Sequence, residues 1–255
     1  QCCLVGSEMC IRDRYNDVLL IKIDLNGNQE WSKTFSFGGD EYGYSVQQTS
    51  DSGYILTGGA YQGTFVLKTD SNGNEEWSYI FDEAEYGETY KNSIQQTIDG
   101  GYILTGHSGS FFNPYIFLLK INSLGQEEWV NYFGEDDNEL GWSFFRISIQ
   151  QTTDGGYILL TTIDTTGGLG SGGYNVLLLK VDSNGEEQWS KTFGVDDQNE
   201  KGRSVQQTLD GGYIITGSKR PNGDDGYDLW LIKTDSQGNE EWNQIFGGGS
   251  SDEGY

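Results

Sequence analysis

The sequence predicts an all-β chain, a β-propeller of four-stranded antiparallel blades, and three observations lead there. First, two phrases alternate along the chain. One is an apolar run followed by Lys, a turn and Trp: LLIKIDLNGNQEW at 19–31, FVLKTDSNGNEEW at 65–77, FLLKINSLGQEEW at 117–129, LLLKVDSNGEEQW at 177–189 and LWLIKTDSQGNEEW at 229–242. The other is SVQQTSDSGYILTG at 45–58, SIQQTIDGGYILTG at 93–106, SIQQTTDGGYILLT at 148–161 and SVQQTLDGGYIITG at 204–217. Second, each phrase reads as a β-hairpin, with alternating apolar and polar residues around an Asp-Gly or Asn-Gly turn. Third, no apolar periodicity of 3.6 residues is sustained over about ten residues, so no helix is expected.

Four short strands per roughly 50 residues make one propeller blade. Their positions are called a (SVQQT), b (GYILTG), c (LLIKTD) and d (EEWSKTF), with a nearest the central axis. The chain opens with a c–d hairpin at 15–36, half a blade. Complete blades follow at about 44–81, 92–133, 147–193 and 203–246, and a tail runs from 247 to 255. Five repeats, four complete and one half, form an incomplete ring whose open strand edges invite self-association. The d-strand tryptophans, Trp31, Trp77, Trp129, Trp189 and Trp242, recur at spacings of 46, 52, 60 and 53 residues and are expected to dock neighbouring blades.

The recurring Asp-x-x-Gly-x-x-x-Trp resembles the tryptophan-docking motif of quinoprotein-like (PQQ-like) propellers. The Asp-to-Gly spacing is one residue shorter here, and Asn122 replaces Asp in the third copy. The span 15–255 is similar to the tandem repeats of secreted and cell-surface proteins of bacteria and archaea. That resemblance implies an extracellular or cell-surface protein. Residues 1–14 stand apart. They carry all three cysteines, the only methionine and two of the five arginines. They resemble a translated sequencing-adapter peptide, and the expectation is a non-native or disordered segment.

Composition narrows the partners. The 255 residues carry a formal charge of −24, which repels nucleic acid and anionic membrane surfaces. No apolar run approaches the roughly 20 residues of a membrane helix, so membrane insertion is not expected. His107 is the only histidine, and the cysteines are confined to the first ten residues. Neither a multi-histidine zinc site nor a thiolate cluster can form in the body of the chain.

Variable b–c and d–a loops on a rigid scaffold are where binding normally resides. The d–a loops are acidic, and Asp40, Glu41, Asp136, Asp137, Asp196 and Asp197 are the candidate metal ligands. No cofactor is required, and Ca²⁺ is the ion such oxygens would take. The c-turn aspartates Asp24, Asp70, Asp182 and Asp235 are expected to bond their own turns instead. Phe111, Phe112, Tyr115, Trp142, Phe144 and Tyr174 are candidates for stacking on sugar rings. The strand-c lysines Lys22, Lys68, Lys120, Lys180 and Lys233 recur too regularly to be catalytic, and are expected to pair with an acid of a neighbouring strand. The double glutamines of strand a are expected to place one amide per blade toward the central channel, on water, and His107 to be a polar loop residue.

No Ser or Cys elbow accompanies His107, and no arginine cluster is evident. The expectation is therefore a protein that is not an enzyme: a secreted or cell-surface adhesion propeller binding a glycan or a protein. The alternatives are a structural spacer within a larger surface protein, or a glycoside hydrolase using loop carboxylates.

Overall fold

A computed structural model of the chain describes residues 2–9 as backbone, and 16–61, 63–82, 90–110, 113–134, 147–164, 173–195, 199–220 and 226–247. Among the described residues there are nineteen β-strands and no helix. The chain divides into two compact units, Gln1–Ser110 with Phe117–Val130, and Phe111–Ile116 with Asn131–Tyr255.

The first unit opens with a three-stranded sheet of β1 (Cys2–Met9), β2 (Asn16–Ile23) and β3 (Gln29–Phe35), in that order. Residues 2–9, which the sequence sets apart from the repeats, thus pair antiparallel with β2, in the place that strand b takes elsewhere. A four-stranded meander follows: β4 (Tyr42–Gln48), β5 (Tyr54–Ala60), β6 (Gly63–Thr69) and β7 (Glu75–Asp82). The next sheet joins β8 (Tyr90–Gln96), β9 (Tyr102–Ser110), β10 (Asn113–Ile121) and β11 (Glu127–Phe133). The second unit holds β12 (Ser148–Gln151) to β15 (Glu187–Phe193), with β13 (Tyr157–Asp164) and β14 (Tyr174–Val181) between them. Its second meander is β16 (Glu200–Gln207), β17 (Tyr213–Lys219), β18 (Asp228–Thr234) and β19 (Glu240–Phe246). These up-and-down sheets are propeller blades, the predicted fold class.

The core lies between sheets. Val18 and Leu20 of β2 meet Tyr54, Leu56, Phe65 and Leu67 of the next sheet. Ile158, Leu160, Val176 and Leu178 likewise meet Val205, Tyr213, Ile215 and Ile232 in the second unit. Strands covered on both faces read as continuous apolar runs, and β6 and β13 are buried along their whole length. Trp31 sits edge-on to Tyr54 at 5.7 Å, Trp77 to Tyr102 at 5.9 Å and Trp189 to Tyr213 at 5.8 Å. Each of these three tryptophans therefore meets the strand-b tyrosine of the next blade.

The c–d hairpins share one device. Lys68 pairs with Trp77 and Thr69 with Glu75, so Glu76 is an extra, bulged residue. The bulge brings Glu76 to 2.8 Å from Lys68 Nζ, while Asp51 of the a–b turn lies 2.9 Å away. Lys120 bridges Asp99 and Glu128 in the same way, and Lys233 bridges Asp210 and Glu241. The recurring lysine is a structural clamp, as its repetition implied. The double glutamine has a role the sequence reading missed. Gln47 Oε1 accepts the Gln96 N–H at 2.6 Å, and Gln96 Oε1 accepts the Ser50 N–H at 2.8 Å. Gln150, Gln207 and Thr153 repeat the arrangement. These amides clasp neighbouring strands a.

The clamp makes stability acid-sensitive. Burial alone would raise the Asp51 carboxyl, but the Thr49 hydroxyl, Lys68 and the Gly53 N–H together hold it down at about 2. Asp99, Asp154 and Asp210 are lowered by equivalent partners. A carboxyl depressed on folding stabilises above its unfolded pKa, near 3.9, and that contribution is lost as pH falls toward the folded value. Thermal midpoints recorded from pH 6 to pH 2 should therefore fall steeply below about pH 4. Asp51→Asn should lower the midpoint at pH 6 and flatten the fall below pH 4.

Candidate functional site

The b–c and d–a connections lie at one end of each sheet, and two d–a connections are described closely enough to compare. In the first unit, the chain leaves β3 through Phe37, Gly38 and Gly39 and enters β4 past Asp40 and Glu41. The Glu41 N–H donates to the Asn16 carbonyl at 2.8 Å, and the Asn16 N–H donates to Asp40 Oδ1 at 2.9 Å. This stitches the connection to the start of β2, where Asp17 sits. Glu41 turns inward. Its Oε1 accepts the N–H groups of Gly39 at 2.9 Å and Phe37 at 3.1 Å.

The result is a pair of buried acids. Glu41 is 0% exposed and Asp17 3%. Glu41 Oε2 and Asp17 Oδ1 are both covered, and neither has a hydrogen-bond partner among the described residues. Burial raises the Glu41 carboxyl above its ordinary range against the pull of its two N–H donors, and the charges of Asp17 and Asp40 add to the rise. A carboxyl raised by burial next to a second buried acid is an arrangement that acid–base chemistry uses.

The corresponding place in the second unit is built differently. Glu200 occupies the position of Glu41 and is also fully buried, but Lys219 lies 3.0 Å from it. Repeat alignment puts Ala60 where Lys219 stands, and Asp17 where Asn175 stands. Gly194 lies against the Asn175 and Glu200 side chains, leaving no room there for a Cβ. So the second junction holds one acid, one amide and one cation. The first holds two acids, and the described residues place no cation beside them.

The other predicted site residues separate. Asp40 is exposed and holds the Asn16 N–H, while Glu41 is inside, so the two do not present a shared set of oxygens. Among the described residues no three His, Cys, Asp or Glu side chains form a group that could hold a metal ion. The c-turn acids bond their own turns: Asp24 Oδ1 accepts the N–H groups of Asn26 and Asn28, both at 2.8 Å. Asn122 does the same for Leu124 and Gln126, which shows why an amide can replace the acid there. Tyr115 is half-buried and edge-on to Tyr132 at 5.3 Å. Tyr174 is half-buried and bridged through its backbone to Asn199. Phe111, Phe112, Trp142, Phe144, Asp136, Asp137, Asp196 and Asp197 lie outside the described residues. His107 is not a loop residue: it is buried in β9 opposite Tyr90.

Solved structures with this fold are informative. The chain is similar to a Penicillium chrysogenum α-L-arabinanase complexed with arabinobiose, at 13% identity and a TM-score of 0.57, covering 79% of this chain and 65% of the arabinanase. It is similar to the GH93 α-L-arabinofuranosidase of Fusarium graminearum with arabinobiose, at 12% identity and a TM-score of 0.57, with the same coverage of 79% and 65%. A protein of unknown function from Dyadobacter fermentans matches over 97% of this chain and 76% of its own, at 13% identity and a TM-score of 0.56. This chain thus spans just under two thirds of the length of the two named enzymes. No protein-family model matches the sequence, and no curated protein sequence does. At these identities the likeness shows the fold. The expectation of a non-catalytic adhesion propeller that is not an enzyme is corrected by these neighbours, since the two of named activity given above are an arabinanase and an arabinofuranosidase.

Proposed function

We propose that the chain is a glycoside hydrolase propeller in which Glu41 donates the proton and Asp17 is the partner carboxylate. The observation that carries this reading is the buried acid pair at the first blade junction, where the equivalent junction has Asn175, Glu200 and Lys219. The protonated Glu41 carboxyl would give its proton to the leaving glycosidic oxygen. A water adding to the anomeric carbon would pass its proton to Asp17, and proton exchange with solvent would reset the pair. Both oxygens are buried, so the 36–41 connection would have to open for a sugar to reach them. Its glycines Gly38 and Gly39 are where it can yield, and Gly38 already has a φ of 95°.

The proposed substrate is an arabinose-containing oligosaccharide, the class bound by two of the similar structures. A polymeric glycan of that kind places the protein outside the cell or on its surface, which stays part of the proposal. No step calls on a metal.

Hydrolysis of arabino-oligosaccharides and of a nitrophenyl arabinofuranoside tests the reading. Glu41→Gln and Asp17→Asn should each lower kcat by about 10²-fold or more. Stability should move the other way for Glu41→Gln. A carboxyl raised on folding destabilises the fold once pH exceeds its raised pKa, and the amide carries no such charge. Gln can still accept the Gly39 and Phe37 N–H groups, so its thermal midpoint should rise at pH 7 and match the parent near pH 4. A chain inert toward arabinan- and xylan-derived oligosaccharides, or one whose activity survives both changes, overturns the proposal.

A further inference from the structure

We infer that two copies of this chain associate head to tail by seating Trp242 of one on the c–d turn at Gly27 of the other. The inner blade junctions define the seat. A Cβ on Gly73 would stand 2.7 Å from Trp31 Cζ3, one on Gly125 would stand 2.8 Å from Trp77 Cζ3, and Gly238 is covered equally closely by Trp189. So these three tryptophans of strand d each set the six-membered ring against the next blade's turn glycine, which has no side chain to hold it off. The residue two positions on adds to the grip. Lys33 Nζ donates to Asn74 Oδ1 at 3.0 Å, and Asn131 Nδ2 donates to the Asn184 carbonyl at 3.1 Å.

One half of this contact is unfilled at each of two places. Gly27 has the same left-handed backbone as the others, but a Cβ there would meet nothing within 4 Å, and Gly27 is exposed where Gly73, Gly125 and Gly238 are buried. Trp242 is 44% exposed, and Phe246 is 51% exposed where its counterpart Phe193 is 7%. Every residue of β19 is exposed, with Trp242, Ile245 and Phe246 forming an apolar face. The chain thus carries a docking tryptophan without a glycine turn and a glycine turn without a tryptophan. The interface they would make is one the chain already makes three times among its described residues, and that repetition selects a second copy as the occupant. The seat is a weak one. Tyr54, Tyr102 and Tyr213 back the inner tryptophans, whereas the register with Ile23 puts Cys2 at that position. Association should therefore be reversible and depend on concentration. It uses a blade face, and so differs from pairing at strand edges.

Sedimentation equilibrium of the full chain and two variants tests this. Trp242→Gln removes the donor. Gly27→Asn blocks the seat with a residue that tolerates positive φ. Each variant alone should need at least a tenfold higher concentration to associate. An equimolar mixture should restore association, but only as heterodimers, since each copy keeps one working half. Thermal midpoints of the variants at low concentration should match the parent, which separates lost docking from lost folding. A parent that stays monomeric at all concentrations overturns the inference, and would mean that the two halves close within one chain or await a further repeat. Variants that associate like the parent, or a mixture that does not, also overturn it.

Discussion

Trp77→Ala should lower stability by about 3 kcal/mol, the lower end for truncating a tryptophan because the ring is half-buried. For a chain of this size the loss corresponds to a fall in thermal midpoint of roughly 8 °C. The ring touches three things that alanine cannot replace: the Tyr102 edge at 5.9 Å, the Tyr79 ring at 5.8 Å and the turn at Gly125. Gly125 cannot move in to fill the space, since its turn is held by the Asn122 side chain at two N–H groups. The same change at Trp242 should cost no more than about 0.5 kcal/mol in dilute solution, because that side chain is 44% exposed and its strand is exposed along its whole length. Urea titrations of the two variants at micromolar concentration would show the contrast. Equal losses would mean that the tryptophan stabilises its own hairpin rather than the junction between blades.

Much of this was legible in the sequence, because a repeat shows its constraints several times over. The strands fall on the alternating phrases, the tryptophans meet the next blade, and the lysines find acids. Each of these contacts recurs with the same residue types in several copies, so periodicity exposes it. The glutamine clasp was hidden for the opposite reason: Gln47 and Gln96 are 49 residues apart, and only the stacking of blades brings one side chain to the other's backbone. The acid pair was hidden because it departs from the repeat. Glu41 looked like one more loop acid, and Asp17 stood at the opening of a half blade. The available clue was a difference between copies, Asp17 and Ala60 in one place against Asn175 and Lys219 in the other. Reading the repeats for what they share led to the scaffold and to an adhesion module. Reading them for where they differ leads to the candidate chemistry. His107 misled for a related reason: it follows the repeated phrase, yet β9 continues through it to Ser110 and buries it.

Gly101→Ala should destabilise the chain by about 3 kcal/mol, whereas Gly100→Ala, one residue earlier, should cost only about 1 kcal/mol. The two glycines of the a–b turn serve different ends. Gly100 has a φ of 84° and open space around it, so a side chain there meets strain but no obstacle. The first copy of the turn shows that such strain is bearable, because Ser52 stands at that position with a φ of 70°. Gly101 has an ordinary φ, but a Cβ on it would stand 2.5 Å from the Ile121 carbonyl oxygen and 2.5 Å from Lys120 Nζ. That carbonyl belongs to the neighbouring strand and accepts from Lys120 at 3.3 Å, so the clash falls on backbone and clamp together. Relief would require separating the ladder or expelling Lys120 from between Asp99 and Glu128, which would leave the Asp99 carboxyl without the cation that lowers it. The second glycine is present in all four copies, as Gly53, Gly101, Gly156 and Gly212, while the first is not. Thermal denaturation of the two variants should show a drop about three times larger for Gly101→Ala. It should also show a weaker dependence of that variant's midpoint on pH between 6 and 3, because the clamp that responds to acid is already broken. Equal drops would mean that turn conformation, rather than the close approach of Lys120, sets the sequence of this hairpin.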